Sequence, residues 1–337
     1  MNDQPKYSQY ALVREMMETP SILRNFKAGQ TAGVVKAVKK AKRLFFTGEG
    51  SSRIFPAKNA MTQAMRKGMA LNLATDGGRQ ALEYNLDSYV VFGASNSGQT
   101  KEVIAVFDKQ KQAGHKHLYG LTANHNTKLE SLATQTFTLA CGKEDAVAAT
   151  KSVAEQALFY QSLLAEIEGR SLAASLGALG DAFHSALTQP IDPEITRAIA
   201  GAGTIHFAGR NDGVAEELTL KTNEITRKKS DYLEGTYAVH GIEEVMNPDD
   251  VVIVVDPFAA EEEKIRQTLV QGVGMKVFAV APRDTIFPTI KITDVGELSS
   301  YVHLAAGWNI LIEVGVALGI NLDKPVRARK VGNEFVG

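Results

Sequence analysis

The sequence predicts an α/β protein made of two doubly wound parallel sheets in tandem. Three observations carry this expectation. Short, continuous apolar runs alternate with longer segments of helical pattern. Each apolar run opens into a turn of glycine or small polar residues. The same order of runs returns in the second half of the chain. Unbroken apolar strands, each followed by a helix, are buried on both faces, which is the signature of a parallel sheet.

Arg43–Thr47 reads as the first buried strand, followed by the turn Gly48-Glu49-Gly50-Ser51-Ser52 and a helix over 54–67. Tyr89–Ala94 is the second strand, with a helix over 101–113, and His117–Leu121 is the third. In the second half Thr204–Gly209 answers the first strand, Asp250–Val255 the second and Gly274–Val280 the third. Residues 7–28 read as a lead-in helix, and 215–229 as a helix followed by a loop from Tyr232 to Val239. The Ala/Leu-rich stretch 169–195 reads as a helical linker, with Asp192-Pro193 placed to start a helix. The expected division is a lead-in over 1–35, a first α/β domain over 36–168, a linker over 169–195, a second domain over 196–325 and a tail over 326–337.

Composition sets outer limits. The 337 residues carry 37 Lys+Arg against 38 Asp+Glu, so there is no electrostatic footprint for nucleic acid or an anionic membrane surface. With 44% hydrophobic and 22% charged residues, the chain can build cores and is not a disordered one. Cys141 is the single cysteine, so neither an intrachain disulfide nor a cysteine metal site is expected, and a reducing compartment fits. No run reaches the length of a membrane span and no secretory signal is visible, so the expected location is the cytoplasm.

The turn Ser95-Asn96-Ser97-Gly98-Gln99-Thr100 is the strongest candidate site. A strand-to-helix turn offers free backbone N–H groups and the positive end of a helix, and Gly98 allows close approach. With hydroxyls added, such a turn can seat a phosphate. Gly93–Thr100 nearly fits the Walker pattern, but Gln99 stands where its lysine belongs, which points to a phosphate ester smaller than a nucleoside triphosphate. Ordinary N-capping by Ser and Thr describes this turn equally well. The matching turn of the second half, Asp256-Pro257-Phe258-Ala259-Ala260, is followed by three glutamates. If one of the two binds an anion, it is the first.

Lys221 and Glu224 lie three apart on one helix and share a face. A glutamate beside a lysine in a cleft can move a proton between adjacent carbons. The pairs Glu217/Lys221 and Glu224/Lys228 also suit a solvated, salt-bridged helix, and spacing alone favours that reading. His240 sits in a loop, and no histidine pair has the spacing of a zinc helix.

Taken in order, six patches resemble the sugar isomerase (SIS) family in its tandem form. They are Gly48–Ser52, Ser95–Thr100, Glu144–Lys151, Lys221–Glu224, His240-Gly241, and Asp323 through Lys330. The pattern is similar to the isomerase half of glucosamine-6-phosphate synthase and to stand-alone aminosugar-phosphate deaminases. The resemblance implies two flavodoxin-like domains that bind a phosphosugar without metal or redox cofactor. It implies that Ser52, Ser95, Asn96, Ser97 and Thr100 hold the sugar phosphate, beside Ser51 and the backbone of Val147. It gives Glu224 the C1–C2 proton shuttle, His240 ring opening, Lys330 the place of a C-terminal lysine reaching into the site, and Lys221 a place beside the base. A homodimer with a site shared between subunits is implied as well. The implied activity is a phosphosugar isomerase or deaminase, with glucosamine 6-phosphate to fructose 6-phosphate and ammonia as the first choice. A ketose-amine 6-phosphate deglycase and a non-catalytic phosphosugar sensor are the alternatives. No upstream glutaminase is expected. Ile242, Lys229-Ser230-Asp231 and Ala149 depart from the family's common residues.

Overall fold

The computed structural model describes residues 1, 2 and 4–327. They fold into two compact units, each around a five-stranded parallel sheet.

One unit comprises Ser21–Glu144 and Ala149–Leu176. Its strands are β1 (Arg43–Thr47), β2 (Asn72–Asp76), β3 (Val90–Ala94), β4 (Leu118–Thr122) and β5 (Gln135–Thr138), in the order β2-β1-β3-β4-β5. Alternation along the strands builds both faces. Leu44, Phe46, Val90 and Phe92 point to a core shared with Phe159 and Tyr160 of helix Lys151–Ile167. Phe45 and Val91 point the other way, to Val103 and Phe107 of helix Lys101–Gln112. A fully buried side chain of this size contributes roughly 1.5–3 kcal/mol, against about 0–1 for an exposed ion pair, so these two layers hold the sheet.

The other unit comprises Met1–Pro20, Asp145–Ala148 and the described residues from 177 to 327. Its strands are β6 (Thr204–Gly209), β7 (Lys229–Glu234), β8 (Val251–Val255), β9 (Lys276–Ala281) and β10 (Thr289–Lys291). Their order, β10-β9-β8-β6-β7, is that of the first sheet with the numbering advanced by five. Each sheet therefore reverses its winding between its first and third strands, the flavodoxin-like arrangement. Among the described residues no helix is long and apolar enough to cross a membrane.

Several expectations need correction. The lead-in is two helices, Pro5–Ser8 and Ala11–Arg24, and its first 20 residues belong to the unit of the second sheet. The linker is also part of that unit from Gly177 on, as helices Leu176–Thr188 and Pro193–Gly201. Asp192 does start the latter, its carboxylate accepting the Glu194 N–H at 2.8 Å. Tyr232–Glu234 are the end of β7 and not loop. The helix before it is Val214–Thr226, because Arg227 takes a left-handed φ of 59° and ends it.

Helix Val214–Thr226 lies against helix Ser299–Ala317 at a point where only a glycine fits. A Cβ on Gly307 would collide with the buried Leu218. Asn309, also fully buried, fixes the second helix by donating to the carbonyls of Ala186 and Gln189 at 3.1 and 2.8 Å. Gly307→Val is expected to destabilise the fold by about 1–3 kcal/mol through overpacking. Urea unfolding of the variant checks this, and an unchanged midpoint would reject the tight crossing.

Candidate functional site

The crevice of the first sheet is set by adjacent strands. β1 and β3 run side by side with Thr47 in register with Gly93, so the turns 48–52 and 95–100 leave the sheet together. Ligands of open α/β sheets bind outside the carboxyl ends of strands at such a reversal.

The turn after β1 is short and pinned. Ser51 is buried and Ser52 half-buried. The Glu49 carboxylate accepts the Gly78 N–H at 2.7 Å, tying this turn to the loop after β2.

The turn after β3 is held from several sides. The Ser95 N–H donates to the Leu121 carbonyl at 2.9 Å, continuing the pairing with β4. The Asn96 carbonyl accepts three donors: Ala123 N–H at 3.1 Å, the Thr122 hydroxyl at 3.0 Å and the Asn124 amide at 2.8 Å. Gly98 adopts φ +65°, and a Cβ there would run into Thr127. Thr127 heads the short helix Lys128–Leu132 with a reciprocal cap to Glu130, so this wall is itself fixed. Gly98 then accepts the Leu129 N–H at 3.0 Å.

Thr100 stands at the N-cap of helix Lys101–Gln112, yet its side chain makes no cap. Its hydroxyl lies 2.7 Å from that of Ser95 instead. The capping account of the turn therefore fails for Thr100, and the first-turn N–H groups of that helix are not consumed by its side chain. The Ser97 hydroxyl accepts the Gln99 N–H at 3.2 Å. Asn96 behaves differently: its side-chain amide donates to Glu144 at 2.8 Å. Sequence reasoning noted the patch beginning at Glu144 but assigned that residue nothing. The signal was there in an acidic residue six ahead of the helix start at Thr150-Lys151.

Two further candidates share one cluster in the other unit. Lys221 is fully buried, its ammonium 2.7 Å from Glu224 and 3.2 Å from Glu217. Glu217 is fully buried too, whereas the Glu224 side chain keeps 23% of its exposure. The solvated-helix reading is thus wrong for Lys221. Burial by itself would lower the Lys221 pKa, but the carboxylates of Glu224 and Glu217 together hold it above the ordinary lysine range. Lys221 is consequently a permanent cation at neutral pH. Arg227 closes the end of the helix by donating to the carbonyls of Glu224 and Ile225.

The remaining candidates lie elsewhere in the chain. His240 is exposed, and its Nε2 lies 3.4 Å from the Lys264 ammonium, a cation where a catalytic histidine would want an acid. The Val147 N–H donates to the Asp323 carbonyl at 3.3 Å. Asp323 also accepts the N–H groups of Ala11 and Leu12 at 2.9 and 2.8 Å, so it caps helix Ala11–Arg24. Lys330 lies outside the described residues. Among the described residues no group of three or more His, Cys, Asp or Glu is arranged to hold a metal ion.

Known proteins share this architecture. Residues 37–166 match the family described as SIS domain. Glutamine–fructose-6-phosphate aminotransferase (isomerizing) of Aeropyrum pernix is 26% identical over 264 residues, 70% of this chain and 42% of that protein. The chain thus spans less than half the length of this relative. Among solved structures, the C-terminal domain of glucosamine-fructose-6-phosphate aminotransferase from Francisella tularensis is similar with a TM-score of 0.78 at 17% identity, covering 94% of this chain and 98% of that one. Glucosamine-6-phosphate deaminase from Thermotoga maritima is similar with a TM-score of 0.74 at 18% identity, covering 95% and 98%. At these identities the solved structures speak to fold.

Removing the buried cation tests the cluster. Lys221→Met removes the cation 3.2 Å from the buried Glu217 carboxylate and is expected to cost about 3–5 kcal/mol. The double variant Lys221→Met/Glu217→Leu is expected to recover most of that loss. Thermal unfolding of both reads the outcome, and a Lys221→Met protein as stable as the parent would contradict the buried pair.

Proposed function

We propose that this chain, whose residues 37–166 match the SIS domain, is a phosphosugar isomerase of the aminosugar-phosphate deaminase type. The observation that carries the reading is the Ser95–Thr100 turn, whose hydroxyls and helix-start amides suit a phosphate monoester at a sheet reversal. The repeated strand order supports treating the second unit as a second domain of the same kind. The relative's aminotransferase and isomerizing name is consistent with the reading, but that protein's activity as a whole belongs to more chain than is present here.

In this proposal the phosphate anchor supplies remote binding energy that orients the sugar. His240 assists opening of the pyranose by exchanging protons at O1 and O5. Being exposed, it is read as serving a shared site in a homodimer. Glu224 then removes the C2 proton of the open-chain aldose and returns it to C1. With an amino group at C2 the intermediate is an enolamine, and protonation at C1 yields the ketose imine. Water hydrolyses the imine, so glucosamine 6-phosphate and water give fructose 6-phosphate and ammonia. The Lys221 cation, 2.7 Å from its carboxylate, holds Glu224 in place. Lys330, outside the described residues, is the second cation this scheme calls for.

A panel of aldose, ketose and aminosugar 6-phosphates tests the scheme through ammonia release and exchange of the C2 hydrogen in deuterated water. Glu224→Gln is expected to lower kcat by at least about 100-fold, within the usual range for a general base, while phosphosugar affinity persists. Equal turnover in the variant, or no C2 exchange with any sugar of the panel, would reject the assignment. Ser97→Ala is expected to weaken phosphosugar affinity several-fold while leaving the melting temperature nearly unchanged, because its hydroxyl carries one short local hydrogen bond. A large loss of melting temperature without a change in affinity would return this turn to a capping role.

A further inference from the structure

We propose that Glu144 and Asn96 form a buried strut that presets the phosphate turn, with both acting as positioning residues. The inference rests on the reading of Ser95–Thr100 as a phosphosugar seat and adds to it a division of labour within the turn.

Glu144 is only 1% exposed. One of its oxygens accepts the Asn96 side-chain amide at 2.8 Å and the Ser152 hydroxyl at 2.6 Å. The other accepts the Thr150 N–H at 2.7 Å, with the Ser152 N–H and Thr150 hydroxyl at 3.4 Å. A buried carboxylate persists only when such donors offset its lost hydration. These donors come from the start of helix Lys151–Ile167 and from the turn after β3. Glu144 is therefore the tie between them.

Asn96 is committed at both ends. Its carbonyl is taken by the end of β4, at Thr122, Ala123 and Asn124, and its amide by Glu144. Among the described residues, the hydroxyls of Ser95, Ser97 and Thr100 bond to one another or to the backbone of the turn. Those three are the residues left to meet a phosphate, and Asn96 fixes the frame that aims them.

The sign of one substitution separates this from the simplest alternative. Glu144 is a negative charge behind an anion seat. If it acted on the ligand only through its charge, Glu144→Gln would tighten phosphate binding. If it acts through Asn96, the same change weakens binding, because a glutamine cannot accept from Asn96 and from the 150–152 donors together.

The test is calorimetric titration of the full chain with fructose 6-phosphate and glucosamine 6-phosphate. Glu144→Gln and Asn96→Ala are each expected to raise Kd about tenfold. The double variant is expected to match Asn96→Ala within twofold, while Glu144→Gln combined with Ser97→Ala multiplies the two losses. A general loosening of the fold would not produce that selective non-additivity. Tighter or unchanged binding in Glu144→Gln, or multiplied losses in the Glu144→Gln/Asn96→Ala pair, would overturn the strut. Should Glu144→Gln not fold, Ser152→Ala removes the hydroxyl from the same carboxylate oxygen. Its few-fold loss is expected to vanish in the Asn96→Ala background, and persistence of that loss would overturn the strut. If the parent chain binds neither sugar, the functional reading falls and the strut with it. If the parent binds and Glu144→Gln binds equally, the strut alone falls.

Discussion

A parallel sheet that reverses its winding between two neighbouring strands has to open a crevice above their carboxyl ends. The chain leaves β1 towards one face and β3 towards the other, so no helix covers the gap between the two turns. Everything specific about the candidate site follows from that constraint. Thr47 in register with Gly93 fixes the two turns side by side. The left-handed Gly98 bends the second turn back on itself, with Thr127 as a wall. The helix that follows then starts with its amides towards the crevice, and hydroxyls a few residues apart in sequence come within hydrogen-bonding distance.

The same sheet built twice does not yield the same chemistry twice. The Asp256 N–H donates to the Val280 carbonyl at 2.9 Å, just as Ser95 does to Leu121, so the two residues hold equivalent places. In the second sheet that place carries a carboxylate, 2.6 Å from the Arg210 guanidinium, which in turn lies over the Phe258 ring at 4.1 Å. A phosphate arriving there would have to displace an existing acidic partner from Arg210. The reversal point is thus a property of the fold, while the side chain just beyond the strand decides what enters it.

How much of this was legible in the sequence depends on how many sides of each residue are covered. The six strands visible as apolar runs are β1, β3, β4, β6, β8 and β9, and all of them are interior to their sheets. The four that were missed, β2, β5, β7 and β10, are the four edges. An edge strand pairs on one side only, so Asn72–Asp76 and Lys229–Glu234 can be polar and still hold their place. The hydroxyl turn was readable because its residues are consecutive. Its support was not, since Asn96 and Glu144 lie 48 residues apart and nothing local marks them as partners.

The cluster at Lys221 shows where spacing stops being informative. Residues three and four apart meet on a helix whether that face is wet or dry, so Glu217, Lys221 and Glu224 would look the same in either setting. Burial depends on what packs against the helix from elsewhere in the sequence, as Gly307 does by letting a second helix approach Leu218. Once dry, the three groups cease to be interchangeable. Glu217 and Lys221 are both fully buried, so their contact at 3.2 Å helps to offset lost hydration. Glu224 alone retains contact with water. Of the three, it is the one a ligand outside the protein could reach, and Lys221 holds its carboxylate at 2.7 Å.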